Sequence, residues 1–282
     1  QRLIKEEMIA FQVGMASLKD RQEHLRAAAL KNKSSWHKSV LENFPYELTN
    51  AQKKVVTEID VDIAKTAPMM RLVQGDVGSG KTIVALMSML ICIDNDFQTC
   101  LIAPTEILAT QHFNSFNSAL SNLNVNIRLL TGSTKLSERK IIFNDLKNGS
   151  LNILIGTHAV FEENVVFKNL GFAVIDEQHR FGVKQRSKIW EKNNPPPHVL
   201  IMTATPIPRT LTMSLYGDLD LSIIDELPPG RKDVITVSRK DKNRLKVFGF
   251  IKDQIKKGRQ IYVVYPLIEE SKKMDLKFLE DG

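Results

Sequence analysis

Cysteine is scarce in this chain of 282 residues, which carries two, Cys92 and Cys100. Both fall among apolar neighbours, which predicts buried thiols of a cytosolic protein and argues against a disulfide framework. The six histidines show no metal-ligand spacing. Long apolar runs are missing as well: the longest, IVALMSMLICI at 83–93, is too short to span a bilayer, so no membrane partner is expected. The first residues, QRLIKEEM, lack the apolar stretch of a secretory signal. They also lack an initiator Met, so a truncated start is expected. No internal repeat and no long low-complexity tract interrupts the sequence.

What is present suits a globule. A hydrophobic share of 43% supports a sizeable core, and a charged share of 25% is ordinary for one. The length fits one large domain, or one domain and a piece of another. A net charge of +7 and a pI near 9.3 weakly favour a polyanionic partner.

Residues 2–30 read as one helix. Ile4, Met8, Phe11, Met15, Leu18, Leu25 and Ala29 recur at helical spacings, with Gln22 breaking the stripe. A helix packed on the main body is favoured over a coiled-coil dimer. KNKSS at 31–35 reads as a connector. From about residue 44 the pattern becomes an alternation of helical stretches with short apolar runs: MRLVQ, TCLIAP, NIRLLT, NILIGT, FAVIDE and HVLIMTA. Near-continuous apolar strands alternating with helices predict an α/β fold, a parallel sheet covered by helices on both faces. Ligands of such sheets bind beyond the carboxyl ends of the strands. Nearly every run here ends in a polar or glycine-rich cluster: GDVGSGKT, PTE, TGST, GTHA, DEQH and TATPIPRT. DELPPGRKD at 225–233 reads as a linker. After it a strand (VITVS), a basic helix near 241–257 and a second strand (RQIYVVYPL) are expected, as the opening of another α/β domain. The expected division is 1–40 for helix and connector, 41–228 for the main domain and 229–282 for the start of the next.

GDVGSGKT, Gly75 to Thr82, matches G-x-x-x-x-G-K-[ST] between a strand and a helix, the context that gives the motif its meaning. Gly75, Gly78, Ser79 and Gly80 would turn backbone N–H groups onto phosphate oxygens, helped by the helix N-terminus. Lys81 would reach the β and γ phosphates, and Thr82 would offer its hydroxyl to magnesium. A buried carboxylate is costly unless paired or bound to metal. Asp176 and Glu177 therefore read as a magnesium carboxylate, direct or through water, and a base that orients or deprotonates the attacking water. Helix capping is the competing reading for the pair. Gln178 and His179 would lie beside the γ-phosphate and relay its presence to Thr203 and Thr205. In FPYELTNAQ, Phe44 or Tyr46 offers an aromatic, and Gln52 could pair with an adenine edge through N6 and N7. Gln52 could equally complete a capping box with Thr49, and both roles can hold together.

In this order the motifs resemble the superfamily-two helicases and translocases, and within them the RecG-type DNA helicases. The resemblance rests on FPYELTNAQ, GDVGSGKT, APTEILATQH, LLTGSTK, IGTHA, VIDEQHRFGVKQR, MTATPIPRTL, YGDLDLSIIDELPPGR and GRQIYVVYPLIEES. It covers essentially the whole chain. Related transcription-repair translocases share TATPIPRT but carry DEEH where this chain has Gln178. Tyr46 stands where the family usually has Phe. The resemblance implies a RecA-like first motor domain, ATP and Mg²⁺ as cofactors, and branched or forked DNA, including Holliday junctions, as partner. It implies a monomer working on the bacterial nucleoid in the cytoplasm. It assigns DNA-backbone contacts to Thr105, Thr131, Gly132, Thr157 and His158, and coupling of ATP to movement to Thr203, Thr205 and Arg209. A branch-recognising wedge domain is expected before residue 1. The arginines that complete the ATP site are expected beyond the end, with Arg209 and Arg231 poor substitutes, so the chain alone is expected to be nearly inactive. Two other readings remain: a nucleotide- or DNA-binding module without efficient turnover, and a small-molecule P-loop kinase, which leaves DEQH and TATPIPRT without a role.

Overall fold

The computed structural model describes residues 26–33, 35–43, 47–176, 189–190, 192–205, 219–226 and 234–264. The chain divides into two compact units, Gln1–Arg231 and Lys232–Gly282. In the first unit the described helices are α1 (Ser35–Asn43), α2 (Asn50–Ile63), α3 (Lys81–Asp94), α4 (Glu106–Ala119) and α5 (Leu136–Asn148). The strands are β1 (Met70–Gly75), β2 (Gln98–Ile102), β3 (Ile127–Leu130), β4 (Ile153–Gly156), β5 (Leu170–Asp176), β6 (His198–Thr203) and β7 (Asp220–Ile224). They form one sheet in the order β3-β4-β2-β5-β6-β1-β7, and every pairing is parallel. This is the expected α/β architecture, a RecA-like P-loop domain.

Alternation along the strands explains why both faces are covered. Val73, Leu101, Val174, Leu200 and Met202 pack with α1 to α4 in one core. Their neighbours Leu72, Cys100, Ala173, Ile175 and Ile201 pack with Ile142 and Leu146 of α5 in another. Each apolar run expected to be a strand in this unit is one. β7 went unread: Asp220, Leu221 and Ile223 stay partly or largely exposed, so the segment lacks a buried strand's continuous apolar character. It is an edge strand, held by register with β1 and by side-chain bonds. Arg71 Nη1 donates to Ser222 Oγ at 2.7 Å, and the same guanidinium is paired with Asp62 of α2. Burial would raise the Asp62 pKa, but hydrogen bonds from Lys65 and Arg71 and their charges bring it below the usual value.

Two expectations for the start of the chain are corrected. Residues 26–30 are not helical. Ala27 N donates to Thr66 O and Leu30 N to Ile63 O, so this backbone is bonded to the body of the domain instead of to its own preceding turn. Residues 2–25 of the expected helix lie outside the described residues. Part of the expected connector opens α1 instead, at Ser35.

In the second unit the described elements are a short 3₁₀ turn, Asp241–Asn243, and α6 (Arg244–Lys256), close to the expected basic helix. VITVS and the described part of RQIYVVYPL form no strand ladder among the described residues. Val234, Ile235, Tyr262 and Val264 are each at least 80% exposed. A strand exists through its neighbours' hydrogen bonds, and among the described residues no neighbour supplies them. Among the described residues, no helix is long and apolar enough to cross a membrane. Both cysteines are buried and free, and burial pushes the Cys100 thiol up to about 12.

Candidate nucleotide and nucleic-acid site

Because all pairings are parallel, every strand's carboxyl end lies on one edge, and the polar clusters gather there. The phosphate loop runs from the end of β1 to the start of α3. Gly78 and Gly80 have φ values of 78° and 85°, a left-handed backbone that glycine adopts without strain. Gly75 is demanded by space instead: a Cβ there would come within 2.5 Å of Ser79 Oγ. Lys81 Nζ lies across its own loop, donating to Gly75 O at 2.7 Å and Asp76 O at 3.1 Å. Ser79 is fully buried, and its hydroxyl has no partner among the described residues. Thr82 is half-buried in the first turn of α3.

Gln52 joins two elements. Thr49 caps α2: Gln52 N donates to Thr49 Oγ1, and Gln52 Oε1 accepts from Thr49 N at 2.9 Å, the reciprocal capping box. Gln52 Nε2 then donates to the phosphate loop at Ser79 O, at 2.8 Å. A Cβ on Gly80 would fall 2.2 Å from this nitrogen, so the glycine also makes room for the amide. One lone pair and one proton of the amide remain for an adenine edge. Glu226, after β7, accepts from Ala51 N at 3.1 Å and so adds a carboxylate to the same helix N-terminus, where it is favourable.

Asp176 ends β5, two strands from β1. In register Asp176 pairs with Met202 and Gln74 with Thr203, so Asp176 and the start of the phosphate loop stand roughly 10 Å apart across the sheet. Thr203 lies on the strand between them, and its Oγ1 accepts from Thr205 N at 3.2 Å. The Asp176 carboxylate is buried and meets His112 Nε2 of α4 at 2.8 Å.

The further strand ends carry the expected nucleic-acid residues. Thr105 caps α4 through Leu108 N. Glu106 accepts from Ser133 N at 3.1 Å and from Ser133 Oγ at 2.9 Å, tying α4 to the loop after β3. Arg139 supports that loop from behind. It donates to Thr131 O and Thr134 O and is itself held by Glu162. Thr131 and Thr157 are buried, and Thr157 Oγ1 has no partner among the described residues. Gly132, Ser133 and His158 are exposed. Tyr46, Glu177, Gln178, His179 and Arg209, with Phe44 and Arg231, lie outside the described residues.

His112, Arg139, Glu162 and Glu226 were not singled out from the sequence. His112 alone had a signal: it stands seven residues after Thr105 within the quoted APTEILATQH, two helical turns along the same face.

Among the described residues no group of three or more His, Cys, Asp or Glu could hold a metal. The donor set fits magnesium all the same, because that ion is usually held by one or two carboxylates together with substrate phosphates and water. Asp176 and Thr82 could supply such a set beside the glycine-rich loop.

A family model described as DEAD/DEAH box helicase matches residues 49–214. The ATP-dependent DNA helicase RecG of Aquifex aeolicus (strain VF5) is 46% identical over 278 residues, 98% of this chain and 35% of that protein. RecG of Escherichia coli (strain K12) is 44% identical over 284 residues, 99% of this chain and 41% of that protein. The chain thus spans between a third and about two fifths of these relatives' length. A solved structure of RecG bound to a three-way DNA junction superposes with a TM-score of 0.81 at 39% identity, over 93% of this chain and 35% of that one. Mss116p bound to single-stranded RNA and AMP-PNP superposes at 0.57 with 20% identity, over 82% of this chain and 53% of that one, a likeness of fold.

Proposed function

Since the chain belongs to the DEAD/DEAH box helicase family, we propose that it is the ATP-binding motor part of a DNA helicase acting on branched DNA such as stalled forks and junctions. The observation that carries this reading is the Gln52 bridge. One side chain is bonded both to the cap of α2 and to the phosphate loop, beside a carboxylate-tipped strand on the same edge.

In this reading Gly75, Gly78, Ser79 and Gly80 present backbone N–H groups to the phosphates of ATP, and Gln52 reads the adenine while steadying the loop. Tyr46 flanks the base. Lys81 exchanges its loop carbonyls for phosphate oxygens, and Ser79 gains the partner its buried hydroxyl lacks. Thr82 and Asp176 would hold Mg²⁺, which supplies charge neutralisation on the phosphates when bound. Glu177 positions and deprotonates the attacking water. Gln178 and His179 sense the γ-phosphate, and Thr203, Thr205 and Arg209 pass its loss on to movement. Thr105, Gly132 and His158 contact the DNA backbone directly. Buried Thr131 acts by shaping the loop around it, and the open hydroxyl of Thr157 meets a backbone phosphate. Contacts of this kind hold phosphates and carry no base readout, so binding is salt-sensitive and indifferent to sequence.

The test is ATP hydrolysis with and without forked DNA, in the protein that carries this chain. Stimulation by forks that Lys81→Ala abolishes supports the reading. Hydrolysis that ignores DNA, or survives that substitution, overturns it. A nucleotide- or DNA-binding module without turnover is not favoured, because such a module leaves Glu177 and the TATPIPRT segment without a role.

A further inference from the structure

The geometry points to His112 as a positioning residue for the nucleotide site: it orients the Asp176 carboxylate toward the magnesium that accompanies the nucleotide. This inference rests on the magnesium role given to Asp176 above. It adds a residue that lies beyond the strand-end cluster PTE and, two turns into α4, comes from a different layer of the fold.

His112 and Asp176 are 9% and 8% exposed, so water competes little for their bond. The contact, Nε2 to Oδ2 at 2.8 Å, has the length of a charge-assisted hydrogen bond. An ionised carboxylate only accepts, so the imidazole proton sits on Nε2 and is donated. That fixes one carboxylate oxygen and leaves Oδ1 as the one turned to other partners. The ring itself is held from behind: Phe116, one helical turn on and buried, lies with its centroid 6.3 Å from the imidazole, tilted by 60°. The base of α4 is anchored in turn, through Glu106 to Ser133, about 9 Å along the helix from His112 at 1.5 Å per residue. A carboxylate on the last residue of a strand has rotational freedom that its backbone does not remove. His112 removes it.

Outer partners of metal-binding carboxylates act in this way in general, and losing one typically lowers metal affinity ~10–100-fold. A purely structural His–Asp pair would hold α4 to β5 and have no bearing on magnesium.

The experiment uses the protein carrying this chain and a fluorescent ADP, titrated with and without Mg²⁺, for the parent and for His112→Phe, His112→Asn and His112→Gln. Phe fills the space without a donor, Asn is too short to span the gap, and Gln carries an N–H of similar reach. The expected result is a loss of ~10-fold or more in the magnesium-dependent gain in affinity for Phe and Asn. The magnesium-free affinity stays unchanged, and Gln restores most of the loss. Mn²⁺ titration followed by electron paramagnetic resonance reads the same order without hydrolysis. Should His112→Phe fail to fold, His112→Asn carries the comparison. An unchanged magnesium-dependent gain in the Phe or Asn variant overturns the positioning role. So does a loss of affinity that is equal with and without Mg²⁺. If the parent binds nucleotide with no gain from Mg²⁺, the magnesium reading of Asp176 fails, and this inference with it.

Discussion

The two edges of the sheet in the first unit are built from the same kinds of polar residue and treat them oppositely. At the amino edge the buried polar side chains are saturated. Gln98, at the head of β2, makes four bonds: Nε2 donates to Leu146 O and Leu151 O, and Oε1 accepts from Lys168 N and Asn169 N. His198, at the head of β6, accepts at Nδ1 from Met69 N and donates from Nε2 to Ala28 O. At the carboxyl edge the buried Oε1 of Gln74 and the hydroxyls of Ser79 and Thr157 have no partner, and among the described residues only Asp60 Oδ1 joins them on that count. An unmet buried group typically costs about 1–3 kcal/mol. Gln98 and His198 are fully bonded at one edge, while three groups gathered at the other stay open among the described residues, so that group of three marks where a polar ligand is expected. Substitutions at the carboxyl edge should therefore cost activity, and those at the amino edge stability.

The largest expected effect tests the first half of that contrast. Glu177→Gln keeps ATP binding and lowers hydrolysis by ~10²–10⁴-fold, the usual range for a general base. Steady-state turnover beside a nucleotide-binding titration reads both, and near-normal turnover moves the base elsewhere. Lys81→Ala should lower nucleotide affinity by ~10²-fold, since charge-assisted bonds to phosphate are lost. Its melting temperature should stay with the parent's. A variant that melts early would mean Lys81 holds its loop carbonyls for the sake of the fold.

At the amino edge the pattern reverses. Gln98→Ala takes the side-chain partner from Asn169 N and Leu151 O, while Lys168 N and Leu146 O keep each other, and should destabilise by about 2 kcal/mol, read by denaturant titration. Its nucleotide affinity should not change, and a variant weak in nucleotide binding but normal in stability would break the contrast between the edges.

The smallest effect is a pH dependence. Burial holds the His198 pKa below its ordinary 6.5, against the opposing pull of the Ala28 carbonyl and Asp62. The unfolded chain therefore takes up the proton first as pH falls. The stability from neutral His198 is complete above pH 6.5 and is lost as pH drops below it toward the lowered folded value, at up to about 1.4 kcal/mol per pH unit. His198→Gln should flatten the fall in melting temperature between pH 7.5 and 5.5. An equal slope in parent and variant assigns it to other groups, the acidic side chains first.

Much of the local geometry at the candidate site was legible in the sequence, because it follows local rules. GDVGSGKT folds as read since Gly78 and Gly80 take left-handed angles that few other residues adopt. The Thr49–Gln52 capping box follows from spacing alone. Asp176 lies at a strand end because its apolar run stops there. What stayed hidden is long-range. The Gln52 bond to Ser79 spans 27 residues, His112 meets Asp176 across 64, and Ala51 meets Glu226 across 175. No periodicity carries such pairings.

The second unit draws the same line from the other side. NILIGT and VITVS are alike as sequences, short β-branched runs ending in a small polar residue. The first lies between two strands and is β4, in register with β2 and β3. The second forms no ladder among the described residues, and its valines and isoleucine are more than half exposed. By itself the sequence determined where apolar runs begin and end, which turns need glycine, and which charges wait at the ends of runs, because these depend on a few neighbouring side chains. Tertiary structure decided which runs became strands, which orphaned donors were met and which imidazole faces Asp176, because hydrogen bonds and burial between distant segments exist only once the layers have packed.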